Sequence, residues 1–248
     1  MFRVLSPLLI SFATLGTAWA GEPAPVQNQA RTAEASLRSW QCRPGFKVEL
    51  VAAEPLVESP IYIAWGPDGK LWVVEMHDYP QGIDGKGKPG GRIKYLEDTK
   101  GTGKYDKATV FLDGIALPTS VMPWGKGVIV TAAPEIFYAE DTDGDGKADI
   151  RRPLYAGFVE GNPQHRVNSL VWGLDNWVYC ANGDSGGQVK SVQTGAVVDI
   201  RGRDFRIRPD EGTIDPQTGT TQYGRCRDDW GNWFGCNNSD PMYHFVLA

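Results

Sequence analysis

From Pro60 to the C-terminus the chain alternates short apolar runs with Gly, Asp, Asn and Pro, a pattern of strands and turns. Only Thr32 to Ser39 reads as a helix, a short one stopped by Pro44-Gly45. Four segments repeat one design of apolar strand, tight turn and second apolar strand: IAWGPDGKLWVVE around Gly66, VMPWGKGVIVTAA around Gly125, LVWGLDNWVYCAN around Gly173 and CRDDWGNWFGCNN around Gly231. Each is a hairpin signal. A second repeat interleaves with the first, as Asp98-Thr99-Lys100-Gly101-Thr102-Gly103-Lys104-Tyr105-Asp106 returns 43 residues later as Asp141-Thr142-Asp143-Gly144-Asp145-Gly146-Lys147-Ala148-Asp149. Both copies run on into an apolar stretch that ends in glycine, VFLDG and PLYAG.

Repeats of about 40 to 50 residues built from short strands predict an all-β fold of the β-propeller type. A β-sandwich also has many hairpins, but it does not require the same turn and flanking residues to recur. Four hairpins make about four blades, and a closed four-bladed ring stands against the front part of a larger propeller. Trp65, Trp124 and Trp172 each precede the turn glycine, so they are expected at equivalent places and mostly buried between sheets. The expected domain plan is a signal peptide over 1–20, a Pro- and Gln-rich linker with the short helix over 21–39, and the propeller over 40–248.

The signal rests on Arg3, the apolar run from Val4 to Thr17 and the Ala18-Trp19-Ala20 cleavage pattern. That run contains Ser6, Pro7 and Ser11 and falls short of the ~20 apolar residues of a spanning helix. A periplasmic or secreted protein with no membrane segment in the mature chain is expected. Four cysteines (Cys42, Cys180, Cys226, Cys236) have no C-x-x-C or C-x-x-C-H spacing, which excludes a zinc ribbon and a c-type haem site within the chain and leaves their pairing open. A net charge of −5 gives no reason to expect nucleic acid.

The loop from Asp141 to Asp149 offers carboxylates at Asp141, Asp143, Asp145 and Asp149, the hard oxygen donors that Ca²⁺ requires. Arg152 stands where an EF-hand carries glutamate, so the loop is calcium-like without being an EF-hand, and a solvated turn is the plain alternative. Three histidines complete the chemistry. His165, in the polar loop Gly161-Asn162-Pro163-Gln164-His165-Arg166-Val167-Asn168, is expected at the channel mouth as a general base, its pKa lowered by Arg166. His77, after the first hairpin, is expected to line the same mouth, and His244 to pack against Tyr243 and Phe245.

The stretch H-x4-L-V-x-G-x-D-x3-Y-x3-G-D-x-G from His165 to Gly186 resembles soluble quinoprotein glucose and sorbosone dehydrogenases. The phrases GFKVELVAAEPLVESP, WVVEMHDYPQG, NPQHRVNSLVWGLDNWVYCANGDSGG and RDDWGNWFGCNNSDP resemble the N-terminal domain of planctomycete and verrucomicrobial membrane-bound dehydrogenase-like proteins, from about Ala35 onward. The resemblance implies a six-bladed propeller, pyrroloquinoline quinone as cofactor with Ca²⁺, and a cytochrome c acceptor beyond this chain. It also implies His165 as catalytic base and Asp184, within Gly183-Asp184, as a residue shaping the pocket. His77, Arg166 and Asn168 join Asp184 as expected cofactor-binding residues; Arg166 and Asn168 would hold a substrate or quinone carboxylate, or else brace the loop. Thr220-Thr221 falls where the glucose dehydrogenases carry an Arg-Asn pair, a departure from their pattern. The leading expectation is therefore an exported dehydrogenase acting on a sugar or other alcohol. A calcium-propeller hydrolase of the lactonase type and a non-catalytic carbohydrate- or protein-binding propeller are the alternatives.

Overall fold

The computed structural model describes residues 30–246 and divides the chain into two compact units, Met1–Phe46 and Lys47–Ala248. The signal peptide expected over 1–20 and the linker up to residue 29 lie outside the described residues. In the first unit the expected helix forms as α1 (Ala33–Arg38), with the Thr32 hydroxyl accepting the Ala35 N–H at 3.2 Å as its N-cap.

The second unit is a β-propeller of four blades. Blade 1 orders β1 (Pro60–Trp65), β2 (Leu71–Glu75), β3 (Gly91–Glu97) and β4 (Lys107–Ile115) as a sheet of consecutive antiparallel neighbours. Blade 2 repeats this with β5 (Ser120–Trp124), β6 (Gly127–Ala132), β7 (Glu135–Glu140) and β8 (Ile150–Phe158). Blade 3 consists of β9 (Asn168–Trp172), β10 (Val178–Ala181), β13 (Asp204–Arg208) and β14 (Thr213–Gln217). Between its second and third strands a hairpin, β11 (Gly187–Ser191) and β12 (Val197–Asp199), leaves the blade and pairs with β8, widening blade 2 to six strands. Blade 4 comprises β15 (Tyr223–Arg227), β16 (Trp233–Cys236) and β17 (Tyr243–Phe245).

Alternation along the central strands explains how neighbouring blades adhere. In β6, Val128, Val130 and Ala132 join a core with Trp72, Val74, Ile93 and Phe111 of blade 1, whereas Ile129 joins a core with Val178, Cys180, Phe205 and Ile207 of blade 3. β7 divides likewise, Phe137 and Ala139 to one side and Ile136 and Tyr138 to the other. A strand covered on both faces loses the polar half of the usual alternation, and every residue of β6 is buried. On the far side of blade 1, Leu71, Val73 and Leu96 are covered by Ala52 and Val57 from the segment ahead of β1.

Inner strands β1, β5, β9 and β15 neighbour one another in that order around the axis. Near the axis the Tyr62 hydroxyl of β1 donates to the Leu170 carbonyl of β9 at 3.3 Å, two blades away. The 43-residue repeat is the β3–β4 turn of blade 1 and the β7–β8 turn of blade 2. Tyr105 N–H bonds Val51 O in the first copy, and its counterpart Ala148 N–H bonds Phe111 O in the second. Trp65, Trp124 and Trp172 do occupy equivalent places, each the last residue of an inner strand. The expected burial does not hold, since Trp65 is 64% exposed and Trp172 43%. These residues remain paired within their sheets, Trp65 with Leu71 and Trp172 with Val178, yet their side chains reach solvent, and Trp124 and Trp172 stack on each other at 4.9 Å. The fourth repeat is out of phase by three residues, because Gly231 fills the positive-φ place of Gly69 rather than the place of Gly66.

Blades 3 and 4 are joined through a buried ion pair. Fully buried Asp204 accepts the N–H groups of Asn182 and Thr221, the Thr221 hydroxyl at 2.6 Å and Arg225 Nη1 at 2.7 Å. The Arg225 guanidinium is further covered by the Tyr179, Trp233 and Phe245 rings. Thr221 therefore serves as a strut of this junction. Asp204→Ala would leave Arg225 buried without a counter-charge, and urea denaturation is expected to register a loss of about 3–5 kcal/mol.

Candidate functional site

The starts of the inner strands surround a cleft of about 690 Å³ on the propeller axis. Pro60, Ile61 and Tyr62 come from blade 1, Thr119 from the approach to β5, Asn168 and Ser169 from β9, and Tyr223 and Gly224 from β15. Two loops add the remaining walls: Met76, His77 and Tyr79 after β2, and Pro163, Gln164 and Arg166 before β9. The loops meet where Gln164 Nε2 donates to the Tyr79 hydroxyl at 2.6 Å. Ser59 and Ser169, both in the lining, hold positive φ values of 46° and 58°, conformations that L-residues adopt at a cost of about 1–3 kcal/mol and that concentrate at functional sites. Burial pushes the Tyr62 phenol up to about 12, so this hydroxyl stays neutral.

His77 lies in the lining and is oriented from behind. Its Nε2 is 3.0 Å from Oε2 of Glu75, a fully buried carboxylate at the end of β2. Glu75 Oε1 is 2.9 Å from Lys94 Nζ and accepts the Glu58 N–H at 2.8 Å. Paired with Lys94, Glu75 acts as an acceptor, which fixes the Nε2–H tautomer of His77 and leaves Nδ1 with the free lone pair. This three-residue chain across β2 and β3 escapes a reading by composition. Its signal is a carboxylate closing the otherwise apolar run LWVVE.

His165 does not line the cleft, contrary to expectation. Its loop neighbours Gln164 and Arg166 do, whereas its ring nitrogens face Gln222 and Asp184, neither of which is in the lining. Gln222 Oε1 accepts the Asn238 N–H, which directs Gln222 Nε2 to His165 Nε2 at 3.2 Å. Nδ1 faces Asp184 Oδ2 at 3.6 Å, too long for a hydrogen bond. Asp184 itself is half exposed and caps its turn by donating its N–H to Asn182 Oδ1. Asn168 is fully committed to bracing: its Nδ2 donates to Arg166 O and Gln222 O, while its Oδ1 accepts from Ser169 Oγ and the Gly224 N–H. Gly183, at φ +75°, lies so close to the Arg166 backbone that a Cβ would stand 2.1 Å from its carbonyl oxygen. Only glycine allows the two loops to approach this closely. His244 is exposed and stacks on Phe234 at 4.9 Å.

The acidic loop lies apart from the cleft lining, on the β7–β8 turn. One oxygen from each of Asp141, Asp143 and Asp149 falls within 4.8 Å of the others. Asp145 does not join them; its Oδ1 accepts the Lys147 N–H at 2.7 Å. In the sister loop Lys100 replaces Asp143, and its Nζ sits 3.0 Å from Asp106, the counterpart of Asp149. Asp106 is held down to about 2 by the Thr99 N–H and then by Lys100. One copy of the turn thus carries a built-in cation where the other places three carboxylates.

Solved structures similar to this chain include the following two. The holo PQQ domain of a pyranose dehydrogenase from Coprinopsis cinerea matches over 79% of this chain at 18% identity, with a TM-score of 0.46. The chain spans about half of that protein, 47%. A catalytically inactive virginiamycin B lyase from Staphylococcus aureus, with quinupristin, matches over 80% of this chain and 73% of its own at 12% identity, with a TM-score of 0.41. No curated protein matches the sequence. The family described as a domain of unknown function, DUF7133, matches residues 32–248, and the chain belongs to it.

Proposed function

We propose that the axial cleft is the active site of an exported, quinone-dependent dehydrogenase that oxidises a sugar or other alcohol. One observation carries the reading: the imidazole of His77 faces the cleft with its far nitrogen held by the buried carboxylate of Glu75. The resemblance of NPQHRVNSLVWGLDNWVYCANGDSGG to membrane-bound dehydrogenase-like proteins supports it. The cleft volume and the aromatic walls of Tyr62, Tyr79 and Tyr223 suit a planar cofactor such as pyrroloquinoline quinone. When bound, the quinone supplies the hydride acceptor, and a cytochrome c would then take the electrons.

On this reading the chain itself handles the proton. His77 Nδ1 accepts it from the substrate hydroxyl, Glu75 stabilises the imidazolium that forms, and Lys94 balances the charge of Glu75. His165 is the second candidate base, and it would have to leave Gln222 and turn into the cleft to act. The hydrolase alternative requires a cation on the axis, but the clustered carboxylates among the described residues lie on the β7–β8 turn.

The assay is dye reduction by the full-length protein with added quinone, calcium and a panel of sugars and alcohols. His77→Ala is expected to lower kcat by about 10² to 10⁴ with thermal stability retained, the range for losing a general base. A larger loss in His165→Ala than in His77→Ala moves the base to His165. If no substrate reduces the dye, the binding-module alternative takes precedence.

For the β7–β8 loop we propose a structural calcium site at Asp141, Asp143 and Asp149. Calcium is expected to raise the melting temperature and chelator to lower it. Asp143→Lys, which copies the sister loop, should abolish that response while keeping the fold. A wild-type melting temperature indifferent to both calcium and chelator rules the site out.

A further inference from the structure

Buried positive charge in this fold is answered by a carboxylate in direct contact, with one exception. Lys94 pairs with Glu75 and Arg225 with Asp204, but Arg166, only 8% exposed, forms no ion pair among the described residues. Its Nε is buried without a hydrogen-bond partner, and the side chain lines the axial cleft. Arg208 and Arg225 also have an unpartnered Nε, yet each binds a carboxylate through Nη1. Two acidic residues influence Arg166 from further away. Glu160 is exposed; Asp78 gives Oδ2 to the Leu117 N–H and leaves Oδ1 without a partner. Burial lowers the Arg166 pKa while Glu160 and then Asp78 raise it, and a guanidinium remains protonated throughout such shifts.

The backbone that carries this side chain is fixed. Asn168 Nδ2 holds the Arg166 carbonyl at 2.9 Å, and the backbone rests against Gly183, where no Cβ fits. A largely buried cation on a fixed backbone, lining a cleft and without an ion pair among the described residues, is prepared for an anion. With a single guanidinium already under the influence of Glu160 and Asp78, the site suits the one charge of a carboxylate better than a phosphate dianion.

We propose that Arg166 makes the axial cleft a receptor for a ligand bearing a carboxylate, placed with that carboxylate on the guanidinium and a hydroxyl or carbonyl group towards His77. The chemistry is that of an acidic sugar or other hydroxy acid, or of a quinone cofactor that carries carboxylates. The proposal rests on the reading of the cleft as the ligand site, but not on the redox step.

Calorimetric titration of the full chain tests it with matched probes: D-glucuronate against D-glucose, and pyrroloquinoline quinone against its trimethyl ester. At least one acid is expected to bind about 10- to 100-fold more tightly than its neutral counterpart, a preference weakened by salt. Arg166→Gln should remove the preference and Arg166→Lys should retain part of it. A preference confined to glucuronate assigns the carboxylate to the substrate, and one confined to the quinone assigns it to the cofactor. Equal binding of acid and neutral probes by the wild-type protein overturns the proposal even if Arg166→Gln fails to fold. So does a preference that survives in a folded Arg166→Gln protein. Failure of the dye assay with anion binding intact would remove the dehydrogenase reading and leave this one standing.

Discussion

The constraint on which this propeller depends is burial of a blade from both sides. In blade 2 the parity of a residue decides which neighbour it adheres to: Val128 and Val130 belong to the core shared with blade 1, and Ile129 to the core shared with blade 3. A slip of one residue in β6 would exchange the two sets, and the different shapes of the cores resist it. The same constraint admits a buried charge only where a partner meets it, as Lys94 and Arg225 in mid-strand are met by carboxylates at strand ends. Glu75 closes β2 and Asp204 opens β13, both buried, and both surrounded by donors that replace water.

How much was legible in the sequence follows from the same physics. The turns could be read because a tight turn demands particular residues: Asp106 and Asp149 each collect the N–H and hydroxyl of a threonine seven positions earlier, and that local device recurs in the letters. The blade spacing and the all-β class came with them. The burial of the tryptophans did not, since periodicity locates Trp65 and Trp172 at the end of an inner strand without showing that nothing covers their side chains there. The β11–β12 hairpin was also hidden: its choice of β8 as partner depends on an edge that only the assembled blades present.

The site was legible as a region and less so in its roles. The loop around His165 was found because GDSGG and NPQHR are unusual strings, and Gly183 does seat the Arg166 backbone. Which way each side chain turns is set by long-range partners. Gln222, 57 residues from His165, occupies its ring nitrogen, and Asn168 spends its polar atoms on tying its own loop to the segment at Gln222 and Gly224. His77 looked the lesser histidine because its orienting partner, Glu75, is separated by one residue and reads as an ordinary strand end.

Two kinds of buried charge therefore coexist in one scaffold. Asp204 with Arg225 and Glu75 with Lys94 are closed systems, in which each ion has its counter-ion in contact and breaking either pair would strand a charge. Arg166 is an open one, held by backbone contacts that have nothing to do with its guanidinium. An open charge destabilises the unliganded fold, and the strained Ser59 and Ser169 beside it add to that cost. Such features persist when the surrounding structure over-determines them, as the two-sided cores of blades 1 to 3 do here. The propeller supplies rigidity through residues that repeat, and the cleft takes its chemistry from those that do not.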